Sequence, residues 1–556
     1  MERPARLEFK ITMKKVYLLI CIIVFATLSL YIHTINYPFI YDDIGYLKNN
    51  SFIKDPKNLT KLFSKEYFES GELSYRPVVT FSYIISYYLL SERPYGYRFF
   101  NIFLYIFTVI IFYFLCVEFF NDKTIAFLSA FFFLSHPVHT EVLMQITFNE
   151  ELFVTLFFLM SFYYHIKNKI IFGTLFFLLS MFSKEIGIGF PLVVLFYDII
   201  KSNKISVKKY IIYFICIVLY IFIRFYALTG IAPDFGYIGG SFYKNILTMS
   251  KVFILYIKLL FIPIDLRPIY YFEIASSLFQ PMIILSLTTI IVFILSIVIL
   301  FKRDKNIAFC MVWFLITIIP VMNFIPFLKY SFLSERYLFL PSAGFCMFLG
   351  LIIEKLSFLW LKKNSVSLVF ISISILLFYI TQTITRTYDW KDEFTFWLKA
   401  SIREPKSFMA HTNLGVCYVS QNKIDLAIAE YKTAAQLYPV VEQFTAMGDL
   451  YLGIGFYNYA IENYEIALQS NFNNKCIIHN NIGFCYLQKG LNDEAIKNYN
   501  KAIEINPKYV DAYNNRAVTY GKKGLYNEAI KDLKKAADLG NKQARENLKK
   551  YFNIEY

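Results

Sequence analysis

The stretch VYLLICIIVFATLSLYIHTI, residues 16–35, indicates the fold class of this chain. It has no Asp, Glu, Lys or Arg over about 20 residues, which suffices to cross a hydrocarbon core of ~30 Å at 1.5 Å per residue. Because it lacks a small-residue cleavage site, we expect a retained membrane anchor rather than a removed signal peptide.

Comparable apolar runs continue far beyond this segment. They lie at 97–120, 124–144, 151–166, 169–183, 186–200, 208–228, 246–266, 281–301, 307–328, 337–357 and 366–384. The sequence therefore predicts an all-α fold whose residues 1–385 form a polytopic transmembrane helical bundle.

Basic clusters predict the orientation of this bundle, because short basic loops stay on the cytoplasmic side. The clusters lie at 3–15, 201–209, 301–306 and 361–364. The three runs between the second and third clusters must then cross an even number of times. We expect 246–266 to cross only in part, since it carries Lys251 and Lys258. About 11 crossings remain, which predicts the C-terminal region on the extracytoplasmic side.

The composition excludes a soluble enzyme and a nucleic-acid-binding protein. Hydrophobic residues make up 57% of the 556 residues, and the mean hydropathy is +0.46. The net charge of +15 arises mainly in residues 1–385, which hold 34 basic and 22 acidic residues, so it reflects membrane topology. Eight cysteines without a CxxC pair indicate neither structural zinc nor a disulfide scaffold.

Beyond Trp390 the pattern changes to a repeat of about 34 residues. Small residues are spaced by 33, 35 and 34 positions at Gly415, Gly448, Gly483 and Ala517, and Ala-Ile pairs repeat these intervals. This is the tetratricopeptide pattern of paired helices. We expect residues 386–406 to connect the bundle to an α-solenoid in 407–556, with four repeats and a terminal helix.

The groove of such a solenoid is a candidate binding surface for an acceptor polypeptide. Amide side chains, which can bond a peptide backbone without selecting its sequence, recur near the helix starts at Asn413, Asn480, Asn481, Asn514 and Asn515. The alternatives are that these amides cap or brace neighbouring helices, and that the solenoid binds a partner protein.

Charged residues gather at the predicted outer ends of the spans. The first external loop, 36–96, carries Asp42 and Asp43 next to the membrane. A carboxylate there carries a free-energy cost unless it is solvated, is paired with a cation or has a functional role. The same loop holds Arg76. Other outer turns and span ends hold Glu141, Glu150, Lys184, Glu185, Arg224, Glu335 and Arg336. Helix capping, an interfacial ion pair and snorkelling are the structural alternatives for individual members. Together they suit a site for an anionic lipid head group and a hydroxyl acceptor.

His136 and His139 lie three residues apart in this same region. The spacing could bind a metal, but the two rings share a helix face only if the helix continues through Pro137. A structural polar network is the favoured interpretation. We therefore predict no cofactor, and a divalent metal stays an open alternative.

These motifs resemble the transmembrane-and-tetratricopeptide O-mannosyltransferases and their prokaryotic relatives. The matching segments are YDD (41–43), YRPV (75–78), HPVHTE (136–141), SKEIG (183–187), ERYLFLPSAGF (335–345) and DWKDEFTFW (389–397). The resemblance implies the GT-C glycosyltransferase superfamily, inverting chemistry and a polyprenyl- or dolichyl-phosphate sugar, here mannose, as the lipid substrate. Where relatives often have a histidine, this chain has Tyr97 and Arg98, so the role of that histidine is not transferred.

The implied reaction assigns roles to the charged residues. An alcohol acceptor loses its proton as it attacks, so Asp42 or Asp43 is the expected general base. The leaving group is already a phosphate, so cations matter more than a general acid. The donor-phosphate candidates are Arg76, Lys184, Arg224 and Arg336, and the supporting polar network comprises His136, His139, Glu141, Glu150, Glu185 and Glu335.

The expected function is transfer of mannose to Ser or Thr hydroxyls of exported proteins, in a prokaryotic plasma membrane or the endoplasmic reticulum. One alternative is a GT-C transferase that acts on a lipid or cell-wall glycan. Another is a non-catalytic membrane anchor for the repeats. A transporter is a third class, but it would need paired charges at mid-membrane depth.

Overall fold

The computed structural model describes residues 2–70, 74–201, 205–228, 236–324, 333–360, 365–439, 441–469 and 475–556. These residues are predominantly helical and contain no strand, which confirms the all-α prediction. The chain divides into two compact units, Met1–Phe396 and Trp397–Tyr556. The division falls within the helix Glu393–Arg403, inside the segment expected to connect bundle and solenoid.

The first unit is a multi-pass membrane bundle. Over the described ranges, seven helices are long and apolar enough to cross a membrane: Val16–Thr34, Pro94–Phe120, Ile146–Ile166, Val207–Ala227, Pro281–Arg303, Glu335–Leu356 and Phe370–Tyr388. Shorter apolar helices are Pro77–Leu90, Lys123–Ser135, Ile170–Ser183 and Lys305–Val321. The number of crossings and their orientation stay predictions.

The outward faces of these helices are apolar. On the helix Pro281–Arg303, the side chains of Ile291, Leu295 and Ile299 are all more than half exposed. A soluble monomer rarely leaves so continuous an apolar surface uncovered. Such a face is suited to contact with lipid chains.

Local sequence signals set where several helices begin. Asp122 accepts hydrogen bonds from the backbone N–H groups of Thr124 and Ile125 at 2.7 and 3.1 Å, and Asp304 caps its helix in the same way. Three other helices start with a proline in the first turn, where the missing N–H costs no helical bond. These prolines are Pro77, Pro94 and Pro281.

The single helix expected over 124–144 is interrupted. The helix Lys123–Ser135 ends before Pro137, and a 3-10 turn and the short helix Thr140–Met144 follow. Pro137 offers no N–H to continue the helix and restricts His136 to an extended backbone. The outcome is an irregular, buried segment that brings polar side chains into the unit.

Two further runs are shorter as helices than expected. The run 186–200 is α-helical only as Phe190–Ile200, after a 3-10 turn. The run 307–328 is α-helical as Lys305–Ile318, and residues 325–328 lie outside the described residues. Shorter helices leave more irregular backbone at the ends of the bundle.

The region expected to cross only in part, 246–266, forms the helix Phe242–Phe261. Lys251 in this helix donates to the carbonyl of Glu273 at 2.7 Å, and Lys258 lies in the last turn. The chain then continues without regular helix up to Gln280. Its partial insertion stays a prediction.

The second unit is a solenoid of four helix pairs and a terminal helix, which confirms the repeat prediction. The pairs are Phe408–Ser420 with Ile424–Leu437, Val441–Gly453 with Tyr457–Leu468, Lys475–Gln488 with Asn492–Ile505, and Val510–Lys522 with Tyr526–Asp538; the terminal helix is Lys542–Phe552.

A close contact between a glycine and a tyrosine joins the two helices of each of the first three repeats. A Cβ atom on any of these glycines would lie 2.5–3.0 Å from the tyrosine ring, closer than real Cβ atoms pack. The pairs are Gly415 with Tyr431, Gly448 with Tyr464, and Gly483 with Tyr499. In the fourth repeat Ala517 and Leu533 stand at these positions, so a slightly larger residue meets a smaller partner.

We expect Gly448→Ala to destabilise the solenoid by about 1–3 kcal/mol, the usual cost of overpacking. Gly453→Ala in the same helix is the matched control, because nothing lies within 4 Å of its Cβ position and alanine favours helix. The urea midpoint can be followed by maleimide labelling of the buried Cys485, mapped by mass spectrometry. Equal midpoints for the two variants would contradict the close crossing.

Candidate active site

Arg98 fixes the loop that follows the first span. The residue is almost fully buried, and its guanidinium donates to the carbonyl oxygens of Tyr37 at 2.9 Å, Pro38 at 2.7 Å and Met144 at 2.7 Å. These bonds replace the water that the guanidinium loses on burial. Arg98 therefore joins this loop to the irregular segment after Pro137.

Asp43 lies in the same loop, and its side chain is buried. Its Oδ1 accepts hydrogen bonds from Gln145 Nε2 at 2.8 Å and from the backbone N–H of Thr147 at 3.0 Å, while no described residue donates to Oδ2. Burial raises the pKa of Asp43 to about 6, although Arg98 and the bonds from Thr147 oppose the rise. Asp43 thus anchors the loop to the bundle.

Asp42 has a different environment. It is partly exposed and makes no hydrogen bond or ion pair with another described residue. Burial raises the pKa of Asp42 to about 6; Arg336 lowers it in part, and Glu150 and Glu141 raise it further. A carboxylate with this pKa is largely ionised at neutral pH and basic enough to accept a proton.

Six charged side chains form one continuous series, which we term the ion-pair chain; one of them, Glu150, interacts electrostatically with Asp42. Acids and bases alternate in it, in the order Glu151, Lys184, Glu150, Arg76, Glu185 and Arg224. The N–O distances are 3.1 Å from Lys184 to Glu150, 2.7 Å from Arg76 to Glu150 and 2.5 Å from Arg224 to Glu185. Three of the four predicted phosphate ligands are therefore neutralised by carboxylates.

Two members of the ion-pair chain, Glu185 and Lys184, have pKa values shifted toward their charged forms. Burial raises the pKa of Glu185, but Arg76 and Arg224 outweigh it and bring the pKa to about 2. Burial lowers the pKa of Lys184, but Glu151 and Glu150 outweigh it and leave the pKa above its usual value. The ion pairs therefore favour the charged forms of Glu185 and Lys184, whereas burial raises the pKa of Glu151 although Lys184 opposes the rise.

Arg336 is less strongly paired than the cations of the ion-pair chain. Its Nη1 lies 3.9 Å from the Glu141 carboxylate, its guanidinium stacks 3.8 Å above the Phe148 ring, and its Nε has no hydrogen-bond partner among the described residues. Glu141 instead accepts bonds from the Ser334 hydroxyl at 2.7 Å and the Arg336 backbone N–H at 2.8 Å. Among the four predicted phosphate ligands, Arg336 therefore makes the longest ion pair.

Glu335 belongs to a separate cluster. Its Oε1 accepts bonds from the backbone N–H of Arg267 at 2.7 Å and the Tyr270 hydroxyl at 2.8 Å, and it pairs with Arg386 at 3.3 Å. Arg386 also pairs with Asp389 at 2.9 Å. This cluster ties the irregular segment after Phe261 to the last helix of the bundle.

His136 and His139 are engaged in a polar network. His139 bonds to the Tyr105 hydroxyl and the Ser342 hydroxyl, both at 2.8 Å, and His136 Nε2 bonds to the Leu260 carbonyl at 3.0 Å. Within the described ranges, no group of three or more His, Cys, Asp or Glu side chains is arranged to hold a metal. The contacts fit the structural interpretation of the histidine pair.

The amides predicted to line the groove of the solenoid bond largely within the solenoid. The hydrogen bonds run from Asn413 to the Met409 carbonyl, from Asn481 to Asp449, from Asn480 to Asn481 and from Asn515 to Asn480. Bonds between successive repeats match the bracing alternative. The Oδ1 of Asn514 is buried and has no partner in the described part of the chain.

Sequence reasoning missed the contributions of Arg98, Gln145 and Glu151. Arg98 and Glu151 lie near the starts of apolar helices, and a charge in such a helix is by itself a sign of a structural or functional site. Their partners lie on distant segments, so residue spacing could not reveal the pairs.

Several known proteins are similar to this chain. Family models described as TPR repeat and tetratricopeptide repeat match residues 485–524 and residues 410–440 and 510–540. A protein O-mannosyl-transferase of Caenorhabditis elegans is 28% identical over 440 residues, which cover 74% of this chain and 62% of that protein. The human protein O-mannosyl-transferase TMTC2 is 24% identical over 200 residues, 33% of this chain and 24% of that protein. The crystal structure of MamA aligns with 25% identity and a TM-score of 0.26, covering 30% of this chain and 95% of that one.

These findings confirm the resemblance to the protein O-mannosyl-transferases that combine membrane spans with tetratricopeptide repeats. The second unit of this chain carries such repeats. The chain spans 62% of the worm relative and 24% of the human relative.

We expect Lys184→Met to destabilise the first unit by about 3–5 kcal/mol, because it leaves buried Glu151 without its cation. Lys54→Met is the control, since its ion pair with Glu92 is exposed and its loss should leave stability unchanged. Unfolding in SDS, followed by far-UV circular dichroism of the purified full chain, measures both. A wild-type midpoint for Lys184→Met would show that the ion-pair chain is not needed for stability.

Proposed function

We propose that this chain is a GT-C-type membrane glycosyltransferase that transfers mannose from a polyprenyl- or dolichyl-phosphate carrier to Ser or Thr hydroxyls of exported proteins. The observation that carries the proposal is Asp42, a carboxylate without an ion pair or hydrogen bond among the described residues, on which Arg336 acts electrostatically. The ion pair of Arg336 with Glu141 is long, at 3.9 Å. The names of the relatives support mannose as the sugar and a protein as the acceptor.

In the proposed reaction, Asp42 accepts the proton of the acceptor hydroxyl while the hydroxyl oxygen attacks the anomeric carbon. The new C–O bond forms as the bond from that carbon to the phosphate oxygen breaks, and the phosphate leaves with the electron pair. Attack opposite the leaving group inverts the anomeric centre. Arg336 stabilises the charge that develops on the phosphate.

The ion-pair chain has a secondary role in this proposal. Arg76, Lys184 and Arg224 already face carboxylates, so a phosphate would have to compete with Glu150 and Glu185 for them. We assign the direct phosphate contact to Arg336 and an electrostatic supporting role to the other three. One base and one available cation suffice, because a phosphate leaves without general-acid help.

The proposal places the site on the extracytoplasmic side. The helix Phe190–Ile200 begins next to Glu185, in the ion-pair chain, and ends at Lys201, the first residue of a predicted cytoplasmic basic cluster. This helix has 11 residues, about 16 Å at 1.5 Å per residue, and separates Glu185 from the basic cluster. If the basic cluster faces the cytoplasm, the charged site faces the other way.

We further propose that the solenoid binds the acceptor polypeptide or a partner protein, which is the usual role of a helical-repeat groove. Because the amides brace the repeats, binding would rely on other exposed side chains. The repeats would extend recognition beyond the single hydroxyl that reacts.

We expect Asp42→Asn to lower transfer by about 10² or more, the scale of general-base catalysis, and Asp43→Asn to lower it much less. The pH profile of kcat/KM should fall as pH drops below about 6, where Asp42 gains a proton and can no longer act as base. The assay uses the purified full chain, polyprenyl-phosphate mannose and a Ser/Thr-containing peptide. Asp42→Asn with wild-type activity would remove the catalytic assignment, and transfer only to a lipid acceptor would replace the protein substrate.

Deletion of residues 407–556 should raise KM about tenfold for a long protein acceptor and leave transfer to a short peptide nearly unchanged. Remote binding energy is available only to substrates long enough to reach the repeats. Equal losses for both acceptors would indicate a structural role for the solenoid. No loss for either would contradict acceptor binding by the repeats.

A further inference from the structure

Tyr41, the residue before Asp42, has a left-handed backbone with φ of +52°. Eight non-glycine residues in the described ranges have positive φ, and five of them are asparagine, which tolerates this region. A bulky aromatic residue does not, so surrounding contacts must hold Tyr41 there. Such strain is commonly kept where a precise direction of the chain matters.

The chain is held on both sides of Tyr41. Arg98 binds the carbonyls of Tyr37 and Pro38 before it, and Gln145 binds the carbonyl of Ile40 at 3.0 Å. The backbone N–H of Asp43 donates to the Ile40 carbonyl at 3.1 Å, which closes a turn with Tyr41 at its second position. Positive φ at that position normally calls for glycine.

The Tyr41 ring supplies the contact that glycine lacks. It stacks on Phe396, with ring centroids 5.9 Å apart and an interplanar angle of 27°. Phe396 is itself buried and packs against Trp390 at 4.6 Å. The Tyr41 side chain also interacts electrostatically with Asp42 and Arg336.

We infer that Tyr41 is the positioning residue for Asp42. Its ring, held on Phe396, keeps the turn in the left-handed conformation that leaves Asp42 partly exposed, where Arg336 acts on it electrostatically, while Asp43 is buried. The consecutive carboxylates thereby receive different roles. The catalytic consequence rests on the proposed function, whereas the anchoring of the turn does not.

Three variants separate the ring, the hydroxyl and the backbone. Tyr41→Gly removes the ring and accepts positive φ, so a defect would not come from strain at this position. Tyr41→Phe keeps the ring and removes the hydroxyl. Phe396→Leu removes the surface on which the ring stacks.

Hydrogen exchange tests the anchoring without reference to activity. The backbone N–H groups of Asp43 and Ile44 bond to the carbonyls of Ile40 and Tyr41, so their exchange reports the turn. We expect exchange at both amides to rise about tenfold in Tyr41→Gly and to stay at the wild-type rate in Tyr41→Phe, using purified full-length protein. Unchanged exchange in Tyr41→Gly would overturn the anchoring.

Kinetics of mannosyl transfer test the positioning. We expect Tyr41→Gly to lower kcat at least tenfold with donor KM within about threefold of wild type, and Tyr41→Phe to retain kcat within about twofold. Combining Tyr41→Gly with Phe396→Leu should add little to either single loss, since both remove one contact. A wild-type kcat in Tyr41→Gly, or an equal loss in Tyr41→Phe, would overturn the positioning role. An inactive wild-type protein would refute the proposed function and leave the exchange result to decide the anchoring.

Discussion

The cost of taking charge out of water governs the first unit. An uncompensated buried charge costs several kcal/mol, and removing one member of a buried pair transfers that cost to its partner. Glu150 and Glu151 start one helix, Lys184 follows another, and Arg224 ends a third. Because each must meet its partner, the ion-pair chain fixes how these helix ends approach one another.

The same constraint applies to the backbone at this end of the bundle. The interruption at Pro137 and the 3-10 turn Glu185–Gly189 leave peptide groups without helical partners, which apolar surroundings do not tolerate. Side chains provide the missing bonds: Tyr105 donates to the carbonyls of Phe133 and Leu134, both at 2.9 Å, and Arg98 donates to three more. Much of the buried polarity therefore serves the structure, whereas Asp42 has no ion pair or hydrogen bond with another described residue.

The sequence predicts the membrane helices and the repeats better than it predicts which polar side chains pair. Apolar runs identify the membrane helices, and the spacing of Gly415, Gly448 and Gly483 identifies the solenoid, because both signals are periodic and local. The adjacent carboxylates Asp42 and Asp43 are also visible in the sequence. Their different environments are not, because these depend on Gln145 and Arg336, which lie about 100 and 300 residues away along the chain. The amides of the solenoid show the same limit, since their position on a helix does not tell whether they meet a ligand or one another.

Because the charges are unequally paired, donor binding would come before deprotonation of the acceptor in the proposed mechanism. In the resting protein Arg336 lowers the pKa of Asp42, and Glu150 and Glu141 raise it. A donor phosphate beside Arg336 would share the charge of that cation, so the proton affinity of Asp42 would rise. Asp42 would then be a stronger base with the donor in place than without it, which favours deprotonation of an acceptor at the moment when transfer is possible. The ion-pair chain could not couple the two events in this way, because its six charges already cancel one another.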